Sequence, residues 1–393
     1  MVNLLPAVLV GGPPHAGKSV LFYRLTQVLR ERGIDHHAIR ACPDGEGNWF
    51  HEGDPDTISN IRVKLQGEWP ASFVQRISQD LEHRRLPFLV DMGGAPRGSQ
   101  KSLFRLCTHS ILLLREDKPE ARQQWQRLVE EYNLLPLARL FSRREGDSLI
   151  TARSPFLEGT ISGLERHMPH AGAGPVFDEL VEQLAALFGS YDLAAIKQVQ
   201  LEQAPTELVL DLKDALRALS SSTRWEPAML ADLLASLPAQ TPLSVYGTGP
   251  GWLYAALAAW ADPQPFYLFD PKLPLGWIQP ARVSLSSEPS PDPDIHTEVL
   301  SDESTSVLKI TFPRDRIEYF RPDPLVFPNV PVEKGLIISG RVPHWLLTAL
   351  VGLYKNAGVA WIAPFYAQMN RAVVAYSYVE TCRIGDLLSC PVI

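Results

Sequence analysis

Residues 12–19 have the residue types and the spacing of a phosphate-binding loop. Gly12-x-x-x-x-Gly17-Lys18-Ser19 is a complete Walker A motif. An apolar segment precedes it and an amphipathic segment follows it, which predicts a strand, a tight turn and a helix. In that arrangement backbone N–H groups and the helix N-terminus surround phosphate oxygens, Lys18 reaches the terminal phosphates and Ser19 binds magnesium. The motif therefore predicts a nucleotide site that uses both glycines, the lysine and the serine.

An acidic partner for this chemistry stands at the end of a later apolar segment, LPFLVDMGG. Asp91 is expected to hold magnesium as a Walker B aspartate, and Gly94 completes a D-x-x-G pattern that could sense the terminal phosphate. An aspartate that only caps the following turn is the alternative interpretation. The guanine-binding motif N-K-x-D does not follow the next strand, where the sequence is LLLRED. ATP is therefore expected rather than GTP.

A second acidic group lies in the segment RACPDGEGNWF, after the second predicted strand. Many small-molecule kinases place an acid at this strand end, where it accepts a proton from the acceptor hydroxyl. Asp44 or Glu46 would serve as that catalytic base, with Trp49 beside the nucleobase. A solvated acidic turn explains the same residues equally well, so both interpretations stay open.

Composition and charge limit what else the chain binds. Its 393 residues are 45% hydrophobic and 21% charged, as in an ordinary globular protein, and the formal net charge of −7 argues against a broad surface for duplex nucleic acid. The apolar runs are too short for a membrane span. The four cysteines lie far apart without the spacing of a zinc site. These features predict a cytoplasmic protein with reduced thiols.

The first 192 residues alternate apolar strands with amphipathic helices. Near-continuous apolar strands separated by helices are typical of a parallel sheet covered on both faces. We therefore predict an α/β chain that opens with a P-loop NTPase- or kinase-like domain over residues 1–192. A polar stretch over residues 193–206 is predicted to be a linker.

Two further modules open with the same signature. GTGPGWLYAAL begins at Gly247 and GRVPHWLLTAL begins at Gly340, with glycine, proline, tryptophan, leucine and alanine in register. This internal repeat predicts two small tandem α/β modules over residues 207–284 and 297–393. The segment SLSSEPSPDPD, rich in serine, proline and acid, predicts a linker over residues 285–296.

The signature itself suggests how a ligand is held. In each module the glycine ends a strand, and Pro250 and Pro343 suit the first position of the next helix. The free N–H groups at that helix start would bind an anion. Trp252 and Trp345 either stack on a base or fill the core.

The two signatures, together with the segment FYLFDPKL, resemble a CRISPR-associated ring-nuclease family of the Csx-three type. That family has a Gly-Arg-Gly-Pro-x-Trp-Leu turn followed by a strand that ends in Asp-Pro-Arg. The resemblance covers both C-terminal modules, and ACPDGEGNW with LVDMGG is similar to an ATPase-like domain to which members are fused. It implies that the protein binds cyclic tetra-adenylate, the second messenger of type III CRISPR defence. In the family the ring lies between subunits and is cleaved with manganese, which implies a homo-oligomer.

When the ligand residues of the family are assigned to the matching positions of this chain, the resemblance implies a ligand site with residues from both modules. These residues are Gly247, Gly249, Pro250, Trp252, Asp270, Lys272, Gly340, Arg341, Pro343, His344 and Trp345. A capping or solvent-facing histidine is the alternative role for the one histidine in this set.

The sequence also departs from the family at the catalytic positions. The family carries a histidine before the Asp-Pro-Arg strand and another after it, whereas this chain has no histidine at residues 261–263 or 355–356. The first module keeps the acid Asp270 but has Thr248 in place of the arginine, while the second keeps Arg341 and lacks the acid. These departures favour ring binding over ring cleavage.

Together these features predict a signalling protein of type III CRISPR defence. Its P-loop ATPase or kinase domain would use ATP with Mg²⁺ or Mn²⁺ and would be coupled to a tandem module that binds cyclic oligoadenylate. One alternative is a stand-alone small-molecule or nucleoside kinase whose C-terminal modules serve only for oligomerisation. Another is a non-enzymatic protein that sequesters the messenger and binds ATP for structural reasons.

Overall fold

The computed structural model describes residues 5–41, 71–94, 96, 98–166, 168, 170–288, 292–313 and 317–390. These residues form two compact units. The first contains the described residues up to Val199 together with Pro271–Gly276, and the second contains those of Gln200–Asp270 and Trp277–Ile393. Both units combine helices with sheets whose inner strands are parallel, so the chain is α/β as predicted.

A seven-stranded sheet forms the centre of the first unit. Its strands are β1 (Ala7–Gly11), β2 (His37–Ala41), β3 (Phe88–Met92), β4 (His109–Leu114), β5 (Leu135–Arg143), β6 (Leu149–Ala152) and β7 (Leu157–Ser162). Their order across the sheet is β2-β3-β1-β4-β5-β7-β6. All neighbouring strands are parallel except β6 and β7. The carboxyl ends of β1, β2, β3 and β4 therefore meet at one edge of the sheet.

Helices cover both faces of this sheet. They are α1 (Lys18–Glu31), α2 (Ala71–Glu82), α3 (Pro119–Glu131) and α4 (Pro175–Gly189), with a 3-10 segment at Gly98–Leu106. Side chains alternate along β1: Leu9 packs in one core with Trp125 of α3, and Val10 packs in the other with Leu21 of α1. The sheet is therefore buried on both faces, which explains its near-continuous apolar strands. No helix in the described part of the chain is long and apolar enough to cross a membrane.

Residues 193–206, for which a linker is predicted, contain a helix instead, α5 (Leu193–Glu202). The Gln200 side chain of α5 is buried and accepts a hydrogen bond from the Tyr246 hydroxyl at 2.7 Å. Its backbone carbonyl accepts another from the Trp277 indole at 2.8 Å. Gln200 is thus bonded to partners far along the chain, which composition cannot reveal.

The first repeat in the second unit carries a four-stranded sheet. Its strands are β8 (Leu208–Asp211), β9 (Leu243–Tyr246), β10 (Phe266–Phe269) and β11 (Trp277–Ile278), in the order β11-β10-β9-β8. The strands β8, β9 and β10 are parallel, and β11 is antiparallel to β10. Helices α6 (Leu212–Leu219), α7 (Leu230–Ser236) and α8 (Gly251–Ala261) connect them.

The second repeat has a larger sheet around the same strand–helix–strand unit. Its elements are β13 (His296–Ser301), β14 (Thr305–Thr311), β16 (Gly335–Ser339), α9 (His344–Asn356), β17 (Trp361–Tyr366), β18 (Arg371–Val373), β19 (Tyr376–Ser377) and β20 (Leu387–Leu388). Strands β14, β16 and β17 are parallel neighbours, as β8, β9 and β10 are in the first repeat. The structure thus places β9–α8–β10 and β16–α9–β17 in equivalent positions.

The predicted linker over residues 285–296 is partly folded. Strand β12 (Val283–Ser286) pairs in parallel with β15 (Leu325–Pro328), which lies in the second repeat. Strand β13 begins at His296. The connecting segment is therefore shorter than its proline- and serine-rich composition predicts, because both of its ends contribute strands to sheets.

A buried histidine makes the first unit sensitive to acid. The Nδ1 of His36 lies 2.8 Å from the Ile34 carbonyl oxygen, and the ring stacks on Phe188 with centroids 6.3 Å apart. Burial, helped by the charge of Arg30, lowers the pKa of His36 from 6.5 to about 4. The unfolded chain takes up a proton below its ordinary pKa, and the folded chain does not until its own pKa is reached. This contribution to stability is therefore present above pH 6.5 and is lost as the pH falls toward 4.

We expect His36→Phe to weaken the acid sensitivity of folding. Between pH 7 and pH 4.5 the wild-type free energy of unfolding should fall by about 2 kcal/mol more than that of the variant. Urea unfolding at both pH values measures the difference. The same substitution at the exposed His83 is the control. Parallel pH profiles for wild type and His36→Phe would contradict the assignment.

Candidate functional site

The loop between β1 and α1 has a backbone that requires glycine at two positions. Gly12 has a φ of +147°, and a Cβ there would lie 1.9 Å from the carbonyl oxygen of Leu113. Gly17 is the N-cap of α1 with a φ of +85°, in the left-handed region that other residues rarely adopt. The loop therefore enters α1 with its backbone N–H groups at the helix N-terminus, where an anion is favoured.

Lys18 lies within this loop. It is a buried residue at the first position of α1, and its Nζ donates a hydrogen bond to the carbonyl oxygen of Pro13 at 2.8 Å. The ammonium group is thus held against the loop backbone on the side where phosphate oxygens bind in a Walker A site.

Ser19 and Asp91 form the polar pair expected of a magnesium site. The Ser19 hydroxyl donates to Oδ2 of Asp91 at 3.1 Å. The parallel register of β1 and β3 places Val10 opposite Asp91, so this carboxylate stands beside the phosphate loop, where only 1% of the residue is exposed. A serine hydroxyl and a carboxylate are hard oxygen ligands that suit Mg²⁺, which takes its other ligands from phosphate and water. The two residues therefore fit the metal that the Walker motif implies.

Gly94 also reaches the phosphate loop. A Cβ at this position would lie 2.8 Å from Cγ of Pro14, so the turn after β3 packs directly on the loop. The structure therefore brings together all the described residues that the sequence assigns to the nucleotide. Asp44 and Glu46, proposed as catalytic bases, lie outside the described residues, and so does Trp49.

Arg40, which no sequence motif indicates, completes the charged group at this edge. It is the penultimate residue of β2 and lies opposite Asp91, with its Nη1 3.4 Å from Oδ2 of Asp91. Its guanidinium also lies over the ring of Phe22 on α1, 5.3 Å from the ring centroid. The available signal is a charged residue between the two apolar residues Ile39 and Ala41 of this strand.

Arg115 connects the end of β4 to the phosphate loop. Its Nη1 donates to the carbonyl oxygen of His15 at 3.4 Å. Asp117 fixes its guanidinium with hydrogen bonds of 2.8 and 2.6 Å, and these raise the pKa of Arg115. The loop is therefore supported from β3 through Gly94 and from β4 through Arg115.

In the second unit, both signature turns begin with a glycine in a backbone conformation that favours glycine. The φ of Gly247 is +105° and that of Gly340 is +136°. Pro250 and Pro343 are N-caps with extended ψ values of 153° and 148°, so each helix begins one residue later than predicted. Each proline takes the N-cap position because its carbonyl accepts the first hydrogen bond of the helix while its own backbone stays extended. In the first module, the Leu253 N–H donates to the Pro250 carbonyl at 3.0 Å.

The two signature turns meet where α8 packs against α9. The His344 ring stacks on the Tyr254 ring with centroids 4.3 Å apart, and the Tyr254 hydroxyl donates to the carbonyl oxygen of Gly247 at 2.5 Å. Burial raises the pKa of Tyr254, and the charges of Asp270 and Asp211 raise it further. The structure therefore brings His344 of one signature into contact with Tyr254 of the other, a residue that no sequence motif indicates.

The two signature tryptophans lie in the protein core. Trp252 is 1% exposed and Trp345 is 5% exposed, so their ring faces are covered by protein. Trp252 contacts Tyr366 edge to face, and Trp345 contacts Tyr319 in the same way. Of the two roles left open by the sequence, the structure supports core packing, and it does not present these indoles for stacking on a ligand.

The remaining predicted ligand residues divide between the units. Arg341 is half-buried in the second signature turn, and Gly249 packs on Leu212 in the first, where a Cβ would lie 2.9 Å from the leucine Cδ1. Lys272 belongs to the segment Pro271–Gly276, which groups with the first unit.

An ion pair occupies the positions where the family carries its first catalytic histidine. Lys355 at the end of α9 donates from Nζ to the carbonyl oxygen of Ala259 at 2.7 Å and lies 3.1 Å from Oδ2 of Asp262. Asn356 donates to the other carboxylate oxygen of Asp262 at 3.4 Å. A lysine that caps the carboxyl end of a helix is stabilising. The two equivalent positions therefore meet as a structural contact between α8 and α9.

The chain is similar to known proteins in part of its length. Residues 311–389 match the sequence model of the family described as CRISPR-associated protein (Cas_csx3). No curated protein sequence matches the chain. Two similar solved structures are a protein assigned to plasmid partition from Borrelia burgdorferi B31, bound to AMPPNP (12% identity, TM-score 0.31, 47% of this chain and 99% of that one), and a gluconokinase from Sinorhizobium meliloti 1021 (14%, 0.20, 51% and 99%). The similarity to the Csx3 family thus falls within the second repeat.

Proposed function

We propose, from the Csx3 similarity and the phosphate loop together, that this protein is an ATP-dependent enzyme of CRISPR defence. Its first unit would hydrolyse ATP or transfer its terminal phosphate, and its repeats would bind a cyclic oligoadenylate. The observation that carries the ATP half is the contact between Ser19 and Asp91 at 3.1 Å beside Lys18. The match to residues 311–389 supports the CRISPR half.

Each residue of the loop has a defined task in this proposal. Phosphate oxygens would replace the Pro13 carbonyl as the partner of the Lys18 ammonium and would accept hydrogen bonds from the loop N–H groups. Ser19 and Asp91 would hold Mg²⁺, which neutralises charge on the phosphates when bound. The buried position of Asp91 keeps bulk water from that carboxylate.

The paired signature turns suit a ligand with several phosphates. The starts of α8 and α9 are helix N-termini, where an anion is favoured, and Arg341 adds a cation in one turn. Binding is favoured over cleavage because Asp262 and Lys355 bond to each other where the family carries its first catalytic histidine. Cyclic tetra-adenylate is the ligand that the family resemblance implies, and binding between subunits would make the protein a homo-oligomer.

The decisive experiment measures ATP turnover with and without a panel of cyclic oligoadenylates, with nucleotide products separated by chromatography. We expect turnover to change with cyclic tetra-adenylate and the ring to remain intact with either Mg²⁺ or Mn²⁺. Linear fragments of the ring would contradict the assignment of binding without cleavage. ATP turnover that is unchanged by every cyclic oligoadenylate, with phosphate transferred to a soluble hydroxyl compound, would instead favour a stand-alone kinase.

We expect Arg341→Ala to weaken binding of cyclic tetra-adenylate by about tenfold or more, since a charge-assisted hydrogen bond contributes about 1.5–3 kcal/mol. Calorimetric titration of the full chain measures the dissociation constant. Arg371→Ala is the matched control, because that exposed arginine lies on β18 and donates to Ser389 at 2.9 Å. Unchanged affinity in Arg341→Ala would remove this residue from the site, and no wild-type binding at micromolar ring would overturn the messenger half of the proposal.

A further inference from the structure

Arg40 is a buried cation placed directly beside the proposed metal site. It is 8% exposed, and its Nη1 contacts the same Asp91 oxygen that accepts the Ser19 hydroxyl. Ser19 is the Walker residue that would hold Mg²⁺ beside the phosphates of a bound nucleotide. Arg40 and the proposed metal ligand Ser19 therefore contact the same carboxylate oxygen, which places the guanidinium near the expected position of the terminal phosphate.

The contact with Asp91 does not satisfy this guanidinium. At 3.4 Å the bond from Nη1 is long, and Nη2 is buried without a hydrogen-bond partner among the described residues. The face of the group is covered by the Phe22 ring, so its remaining donors point within the plane of the guanidinium. A buried charged donor left without a partner is costly, and such groups in a binding site are usually completed by the ligand.

Asp91 alone does not account for an arginine at this position. A carboxylate that binds magnesium gains a cationic partner from the metal, so the arginine charge adjoins a second cation once the metal is present. Two neighbouring cations favour an additional anionic oxygen. Arg presents several donors in a rigid plane, which lets it contact a carboxylate and a phosphate at once.

We propose that Arg40 binds the terminal phosphate of the nucleotide and thereby makes the site select a triphosphate over a diphosphate. This inference rests on the proposed nucleotide site. Nη1 keeps its contact with Asp91, and Nη2 donates to a terminal phosphate oxygen that ADP lacks. Lys18 and the loop N–H groups contact both nucleotides, while Arg40 contacts only ATP.

The test compares two affinities in the same variant. For Arg40→Gln we expect the dissociation constant of the non-hydrolysable ATP analogue AMPPNP to rise by about tenfold to a hundredfold, whereas that of ADP changes by less than about threefold. Both are measured calorimetrically on the full chain, with Mg²⁺ and again with a chelator. A role exercised only through Asp91 and the metal would disappear without Mg²⁺, whereas a direct phosphate contact remains.

Controls separate this contact from loss of charge or loss of folding. Arg24→Gln removes an arginine that lies farther along α1 over the Phe177 ring, and it should leave the ratio of the two affinities unchanged. Arg40→Lys keeps the charge and should restore part of the selectivity. Equal weakening of AMPPNP and ADP, or an unchanged ratio in Arg40→Gln, overturns the inference while wild-type ATP binding leaves the proposed function intact. Absence of nucleotide binding to wild type would overturn both.

Discussion

Lys18→Ala is expected to lower ATP turnover by at least about a hundredfold. The Lys18 ammonium lies inside the phosphate loop, 2.8 Å from the Pro13 carbonyl, and we propose that it moves onto the terminal phosphates. A preorganised cation at the position where charge develops contributes about 3–4 kcal/mol to transition-state stabilisation in many enzymes. Release of inorganic phosphate, or transfer to an acceptor, measures the loss under saturating ATP.

The same substitution at Lys118 is the matched control. Lys118 is exposed at the N-cap of α3 in the same unit, so its removal changes the net charge equally without touching the loop. The unfolding midpoints of both variants show whether a loss of turnover comes from a loss of folding. Turnover that survives in Lys18→Ala would overturn the ATP half of the proposal.

The nucleotide site is largely predictable because its signals are local. The spacing of glycine, lysine and serine fixes a loop between one strand and one helix, and Asp91 ends the strand that becomes the neighbour of β1. The prediction of helices on both faces follows from apolar strands and is confirmed by the two cores on either side of the sheet. Local periodicity and strand order thus suffice for these residues.

The residues that the sequence analysis missed depend on contacts between distant segments. Arg40 reaches Asp91 only because β2 pairs with β3, and Tyr254 reaches His344 only because α8 packs on α9. Tyr254 occupies the position of Leu347 in the aligned signatures, so a polar residue at an apolar position of the repeat is a signal that was available. The burial of Trp252 could not be read from spacing, because a core indole and a stacking indole fit the same pattern.

The differences between the two repeats also have a structural consequence. Residues 261–263 and 355–356 correspond in the two copies, and the structure brings them together as the contact between Asp262 and Lys355. One copy therefore supplies the acidic residue of a single ion pair, and the other copy supplies the basic residue. A duplicated chain allows this asymmetry, whereas identical subunits would place like charges opposite each other at the same position.

The second large effect is expected at the glycine that opens the second signature. A Cβ at Gly340 would lie 2.2 Å from the carbonyl oxygen of Ile310, whose strand β14 is the parallel neighbour of β16. The φ of +136° is also one that alanine rarely adopts. Neither the backbone of the turn nor that of β14 can shift easily to relieve this clash. Gly340→Ala should therefore reduce the free energy of unfolding by about 3 kcal/mol or more.

The equivalent glycine of the first repeat provides the comparison within the same chain. A Cβ at Gly247 would meet nothing closer than Cβ of Leu212 at 3.5 Å, so Gly247→Ala incurs only the cost of its φ of +105°, about 1–2 kcal/mol. Gly352→Ala in α9, where no atom lies within 4 Å, should be neutral or stabilising by about 1 kcal/mol. Urea unfolding followed by tryptophan fluorescence ranks the three variants. Equal losses at Gly340 and Gly247 would show that backbone conformation alone decides the cost. The predicted difference would instead show that the second turn, which contains Arg341, is fixed by its neighbouring strand.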